Sequence, residues 1–179
     1  MTLIHGQSNL DWLNGLTPSE VISEFLKCCG SSEWARRIEK QRPFENFEDL
    51  SSKAAAVWWS LDRDHWLEAF HSHPKIGEQK AKATISPHSQ AWSGQEQAGM
   101  QSSTTRTIEE LAVLNREYEE KFGFIFIVCA TGKASEEMLA ILKTRIGNDL
   151  ETELPIAARE QAKITKIRLG KLLSRRSGT

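Results

Sequence analysis

The most telling stretch for the fold class is Phe122-Gly-Phe-Ile-Phe-Ile-Val-Cys129, an almost unbroken aromatic and β-branched run. By propensity alone it is a buried strand. No second run of comparable β character exists in the chain, and an isolated strand leaves its amides and carbonyls without a ladder partner. We therefore predict an extended apolar segment, about residues 122–130, that is threaded between helices and finds hydrogen-bond partners outside a sheet.

Helix signals fill the sequence on both sides of this segment. Thr17-Pro-Ser-Glu20 and Thr107-Ile-Glu-Glu110 have the capping-box pattern, and apolar residues follow each of them at helical spacing. The other predicted helices run through Trp34 and Ile38 after a cap at Ser31 or Ser32, from Phe47 to Leu61, from Arg63 to Phe70, from a cap at Ser135 to Gly147, and from about Leu150 to Leu173, with a loop or a pair of short helices between Glu78 and Thr105. Pro155 is tolerable only in a first turn, so the regular part of the last helix is expected to begin nearer Leu154. The predicted fold class is all-α, a single-domain compact helical bundle.

Charge and cysteine content narrow the classes of partner. Lys and Arg total 23 against 24 Asp and Glu, so there is no net field to recruit nucleic acid or an anionic membrane. No stretch approaches the roughly 20 apolar residues of a membrane span. Three cysteines are an odd count that suits a reducing compartment. We therefore expect a cytoplasmic protein that binds a small molecule through contacts at one site and not through its overall charge.

A candidate catalytic residue lies in Ala69-Phe-His-Ser-His73-Pro-Lys-Ile-Gly77. A residue before proline is pushed out of helical geometry, so His73 should occupy a fixed corner where the preceding helix stops. An imidazole held there, with a pKa near neutrality, suits proton transfer near pH 7. The alternative is a helix cap or a surface residue.

The clustered histidines invite a metal interpretation, which their spacing argues against. His65, His71, His73 and His88 lie within 24 positions, but no two of them have the i, i+4 spacing of helical zinc motifs. We therefore predict no metal site. Cysteine catalysis is disfavoured as well, because burial of Cys129 in the apolar run would raise its thiol pKa.

Two further polar features are candidates for a binding site. In Trp92-Ser-Gly-Gln-Glu96-Gln97, Glu96 could meet His73 in a cleft while Ser93 and Gln97 hold polar atoms of a ligand; a solvated loop is the alternative. Arg168 lies four residues beyond Ile164 and could therefore reach the interior and grip a carboxylate bidentately. By default it is a solvated charge near a helix end.

Taken together, these motifs resemble the OHCU decarboxylase family, where OHCU is 2-oxo-4-hydroxy-4-carboxy-5-ureidoimidazoline. The resemblance is carried, in chain order, by His73-Pro74, Ser93-x-x-Glu96-Gln97, Leu114-Asn115 with Tyr118, the run Lys121 to Ala130, and Lys163-Ile-x-x-x-Arg168. It covers residues 17–173 as the decarboxylase domain. Residues 1–16 are then an N-terminal extension and residues 174–179 a C-terminal tail.

The resemblance implies an all-helical homodimer that decarboxylates OHCU to (S)-allantoin in the last step of urate degradation, coupled to a 5-hydroxyisourate hydrolase. It implies His73 as the catalytic residue with Glu96 as its acidic companion. The substrate-binding residues implied are Pro74, Ser93, Gln97, Arg168 and the backbone of Phe126, Ile127, Val128, Cys129 and Ala130. No cofactor is expected, because the substrate itself can accept the electron pair that is released when carbon dioxide leaves. The competing hypotheses are a non-catalytic helical module that binds a ureide or purine, and a metal-dependent amidohydrolase that uses the histidines.

Overall fold

A computed structural model describes residues 3–76 and 87–174 of the chain. Within those ranges the backbone forms nine α-helices, one 3₁₀ helix and no strand, which confirms the all-α prediction. The α-helices are α1 (Leu3–Gly15), α2 (Pro18–Cys28), α3 (Ser32–Glu39), α4 (Phe47–Trp59), α5 (Arg63–His71), α6 (Pro87–Glu96), α7 (Thr105–Phe122), α8 (Ser135–Arg145) and α9 (Leu150–Ser174), and the 3₁₀ helix is Ala98–Ser102. Among the described helices, none combines the length and the apolar character needed to cross a bilayer.

The chain divides into two compact units. Unit 1 contains the residues up to Ala69 together with those from Ala162 onward, and unit 2 contains Phe70–Gln161. The organisation of residues 17–173 as one domain therefore stays a prediction.

Unit 1 is built around aromatic side chains on short, well-capped helices. The predicted capping box of α2 is present: Glu20 N donates to Thr17 Oγ1, and Thr17 N donates to Glu20 Oε2 at 2.9 Å. The helix then buries Phe25, whose ring packs edge-on against Trp34 at 5.8 Å between centroids. Trp34 in turn donates its indole N–H to Ala54 O at 3.0 Å. The packing of these two buried rings and the hydrogen bond of the indole N–H thus hold α2, α3 and α4 together.

The predicted N-terminal extension takes part in unit 1. Residues 3–15 form α1, and Leu10 and Leu13 are completely or almost completely buried. Asn14 Nδ2 donates to Phe44 O at 2.9 Å, and Phe44 N donates to Asn14 Oδ1 at the same distance. The boundary at residue 16 stays a prediction, but the described part of the extension is packed against the residues that follow it.

Two predicted helix starts, those of α7 and α8, are wrong by one to three residues, whereas the predicted start of α9 is confirmed. Helix α7 begins at Thr105, because Thr104 Oγ1 accepts from Thr107 N at 3.2 Å and so Thr104 is the cap. Helix α8 is capped at Ala134, whose N–H donates to Glu137 Oε2 at 2.9 Å. Helix α9 begins at Leu150, since Asp149 Oδ1 accepts from Thr152 N at 2.7 Å. A strong side-chain cap therefore starts α9 before Pro155, which lies inside the helix.

The polar stretch before α7 is helical where the structure describes it. Helix α6 and the 3₁₀ helix confirm the alternative of two short helices, whereas residues 77–86 of the predicted loop lie outside the described residues. The apolar run is neither helix nor strand. Gly123 ends α7 in the left-handed region at φ 77°, with its N–H donating to Glu119 O at 2.8 Å, and residues 124–130 follow as buried non-helical backbone.

Candidate active site

His73 lies two residues beyond the end of α5, as the proline after it predicts. Its backbone N–H donates to Phe70 O at 3.2 Å, and its side chain is 7% exposed. The ring atom Nε2 is 2.6 Å from Oε1 of Gln161, which is itself fully buried. His73 is therefore a buried, held imidazole, and the surface interpretation is wrong.

The loop after His73 is anchored to α7. Asn115 Nδ2 donates to Ile76 O at 3.3 Å, and Lys75 Nζ pairs with Glu119 Oε2 at 2.6 Å. Pro74, between these anchors and His73, is half-buried. The loop that carries the imidazole is thus held at both ends, by the last turn of α5 and by α7.

The backbone of the apolar segment forms hydrogen bonds with side chains, whereas the backbone of a strand would bond to a neighbouring strand. Arg145 Nη1 donates to Ile127 O at 2.7 Å, Cys129 N donates to Glu160 Oε2 at 2.8 Å, and Lys133 Nζ donates to Cys129 O at 2.8 Å. These contacts confirm the prediction of partners outside a sheet.

The partners fall on alternate residues of the segment. They bond to backbone groups of residues 127 and 129. This alternation is expected of an extended backbone, in which the polar groups of every second residue point to the same side. Among the described residues, no hydrogen bond joins the backbone of Phe126 or Val128 to another protein group, although both residues are buried. Buried backbone groups of that kind are suited to hold a ligand.

The motif around Glu96 is buried as well. Ser93 and Glu96 are 5% and 8% exposed at the end of α6, and Gln97 N donates to Ser93 O at 3.0 Å. Burial raises the pKa of the Cys129 thiol, and the negative charges of Glu160 and Glu96 raise it further. Because Ser93 and Glu96 are buried, the solvated-loop alternative is wrong for both of them.

Arg168 lies in unit 1 and is 4% exposed, so it is not the solvated charge that a position near a helix end would give by default. Burial raises the pKa of the thiols of Cys28 and Cys29, that of Cys29 to about 11, and the positive charge of Arg168 opposes this rise. The inward orientation inferred from Ile164 is thus confirmed. Its role as a substrate-binding residue stays a prediction.

The histidine cluster does not assemble in the described part of the chain. His71 is exposed and His65 half-buried, and the side chain of His88 lies outside the described residues. Among the described residues, no three His, Cys, Asp or Glu side chains are placed to hold a metal ion.

A family model for OHCU decarboxylase matches residues 14–170. The chain belongs to the OHCU decarboxylase family. It is 38% identical over 152 residues to the uric acid degradation bifunctional protein of Arabidopsis thaliana, a match that covers 84% of this chain and 47% of that protein. It is 33% identical over 144 residues to 2-oxo-4-hydroxy-4-carboxy-5-ureidoimidazoline decarboxylase of Mus musculus, a match that covers 80% of each.

A solved relative supports the same family. The crystal structure of OHCU decarboxylase in the presence of (S)-allantoin superposes with a TM-score of 0.73 at 38% identity, over 84% of this chain and 97% of that one. The chain spans about half the length of its bifunctional relative from Arabidopsis thaliana.

Sequence reasoning about this OHCU decarboxylase family member missed the residues that hold the site together. Arg145, Glu160 and Gln161 each bind a predicted site residue or its backbone. For Gln161 a signal was available: it lies four residues after Ala157, in register with a buried stripe of α9. A polar side chain at such an inward position needs a buried partner.

A glycine that follows the Glu96 motif provides a test of how that motif is placed. A Cβ on Gly99 would overlap the backbone oxygen of Lys133, so the backbone at one of the two positions would have to move. Gly99→Ala should therefore lower the free energy of unfolding by about 3 kcal/mol, the upper end of overpacking costs. Denaturant titration measures the change.

Gly94→Ala is the matched control. In the part of the chain that the structure describes, nothing outside the local backbone of α6 lies within 4 Å of a Cβ added at Gly94. Because Gly94 lies within this helix, the exchange should stabilise the protein by about 0.5–1 kcal/mol. Equal midpoints for the two variants would contradict the close approach at Gly99.

Proposed function

We propose that this protein decarboxylates OHCU to (S)-allantoin and carbon dioxide without a cofactor, as the last step of urate degradation. The observation that carries the proposal is the buried imidazole of His73, whose Nε2 lies 2.6 Å from Gln161 Oε1. The backbone N–H of His73 also donates to Phe70 O. Membership of the OHCU decarboxylase family supports the same reaction.

The substrate's own structure supplies the electron sink. Its carboxylate is attached to a carbon that also bears a hydroxyl group and adjoins a C=N bond. When the bond to the carboxylate carbon breaks, its electron pair forms a C=C bond and the electrons of the imine move onto nitrogen. A proton then adds to that nitrogen. Loss of the hydroxyl proton restores a carbonyl, and a further proton added to the adjacent ring carbon completes allantoin. Starting from the carboxylate, the sum consumes one proton and releases carbon dioxide.

In this proposal the protein moves protons and stabilises charge. His73 takes the hydroxyl proton, and Glu96 is its acidic companion. Ser93, Gln97 and the backbone of residues 126–130 hold the ureido and ring groups, and the unpartnered amides and carbonyls of Phe126 and Val128 support that assignment. Donors fixed before the reaction, aimed at the ring atoms where charge develops, can supply a large part of the rate. Arg168 and Pro74 stay predicted substrate-binding residues.

The product's handedness tests the proposal. OHCU generated fresh in the assay should lose carbon dioxide faster with the protein than without it, and circular dichroism should show an excess of (S)-allantoin. A racemate formed at the spontaneous rate would favour the non-catalytic binding module instead. A chelator that abolishes the reaction would favour the metal-dependent amidohydrolase.

Assembly and compartment belong to the same proposal. The odd number of cysteines, with Cys28, Cys29 and Cys129 all buried as free thiols, supports a reducing compartment, and we place the protein in the cytoplasm. We propose a homodimer, which light scattering of the purified protein tests. Coupling to a 5-hydroxyisourate hydrolase is supported by the relative named bifunctional, of which this chain spans 47%.

A further inference from the structure

We propose that Gln161 is a positioning residue that fixes the tautomer of His73, with the proton on Nε2 and the basic lone pair on Nδ1. The inference rests on the proposed function for its catalytic meaning, since it names the nitrogen that takes the substrate's proton. The tautomer itself is a property of the free protein.

The contact between the two side chains sets the direction of the hydrogen bond. An amide oxygen only accepts, so at 2.6 Å from Gln161 Oε1 the Nε2 atom of His73 is the donor. A neutral imidazole carries one N–H and one lone pair, and the lone pair is then on Nδ1.

Gln161 is held firmly enough to impose this choice. Its side chain is fully buried, and its helical neighbours Ala157 and Ala158 are fully buried too. The preceding residue, Glu160, accepts the amide proton of Cys129 at 2.8 Å. One turn of α9 therefore fixes both the imidazole and the apolar backbone segment.

The choice of an amide over a carboxylate has a chemical consequence. A carboxylate at position 161 would favour the charged imidazolium and so raise the pKa of His73. An amide oxygen orients the ring without adding a charge. Gln161 thus selects the tautomer without a negative charge that would favour the imidazolium.

Nitrogen NMR of the substrate-free protein tests the tautomer directly. With ¹⁵N-labelled histidine and His73→Asn to assign the signal, the parent should show His73 as the Nε2–H tautomer at a pH where it is neutral. Gln161→Met, which keeps the length of the side chain but removes the acceptor, should lose that single tautomer. An Nδ1–H signal in the parent, or an unchanged signal in Gln161→Met, would overturn the inference.

Kinetics separate positioning from a merely structural role. Gln161→Met should lower kcat about 10²-fold, within the range that acid–base catalysis contributes, while KM changes less than about twofold. Gln161→Glu keeps an acceptor, so it should restore the Nε2–H signal, recover about tenfold of the lost kcat, and move the acidic limb of the pH profile to higher pH, because His73 acts as a base in its neutral form. The matched control is Gln41→Met, the same exchange at an exposed glutamine, which should keep the parental kcat.

The outcomes distinguish this inference from the proposed function. A parent with the Nε2–H tautomer but no decarboxylation defeats the function and leaves the role of Gln161 in fixing the ring. A parent that makes (S)-allantoin from an Nδ1–H imidazole defeats the inference alone. Gln161→Met with full kcat, or Gln161→Glu no faster than Gln161→Met, also overturns it.

Discussion

His73→Asn should lower kcat for carbon dioxide release from OHCU by about 10²- to 10⁴-fold, the contribution expected of a positioned acid–base group. Asparagine keeps a polar side chain of similar reach but has no basic nitrogen. Stopped-flow detection of carbon dioxide measures the loss, and chiral analysis should show that the remaining allantoin approaches a racemate.

The matched control for this prediction lies two residues earlier. His71 is exposed at the end of α5, so His71→Asn should leave kcat within about twofold of the parent, as for an ordinary surface substitution. Both variants should keep the parental circular dichroism spectrum. A His73→Asn enzyme as fast as the parent would remove His73 from the chemistry altogether.

The fold class could be predicted because the apolar run has no β partner anywhere in the sequence. The physical cost of an unpaired strand excluded a sheet, and the structure satisfies Ile127 and Cys129 through side chains instead. Helix starts were harder to place. Residues 104, 105 and 107 are all threonine, so several hydroxyl groups compete for one cap, and only the tertiary position of α7 selects Thr104.

The site was predictable where a local rule applied. The proline after His73 marks the helix exit, and the spacing from Ile164 points Arg168 inward. For Gln161 the register of α9 indicates an inward position but not the partner, because His73 is 88 residues away along the chain. Contacts of that range depend on how helices pack, which periodicity does not fix.

Arg145 both stabilises unit 2 and holds part of the backbone of the candidate site. Its side chain is 7% exposed and pairs with the fully buried carboxylate of Glu153, with Nη2 at 2.6 Å from Oε1. The same guanidinium donates through Nη1 to Ile127 O at 2.7 Å and lies over the Phe126 ring, with 4.7 Å from Cζ to the centroid. The hydroxyl of Tyr118 donates to the same Glu153 oxygen, and burial raises its pKa well above the ordinary value, so it is a neutral donor.

Arg145→Met should therefore lower the free energy of unfolding by about 3–5 kcal/mol, because it leaves the charge of Glu153 buried without its partner. Denaturant unfolding measures this loss. In Arg145→Met/Glu153→Gln no uncompensated charge remains, so the double variant should be more stable than Arg145→Met alone. Its activity should still fall, since the Ile127 carbonyl has lost its donor and the backbone of residues 126–130 is no longer held. If the double variant instead regained the full kcat along with stability, the guanidinium would be needed only to neutralise Glu153.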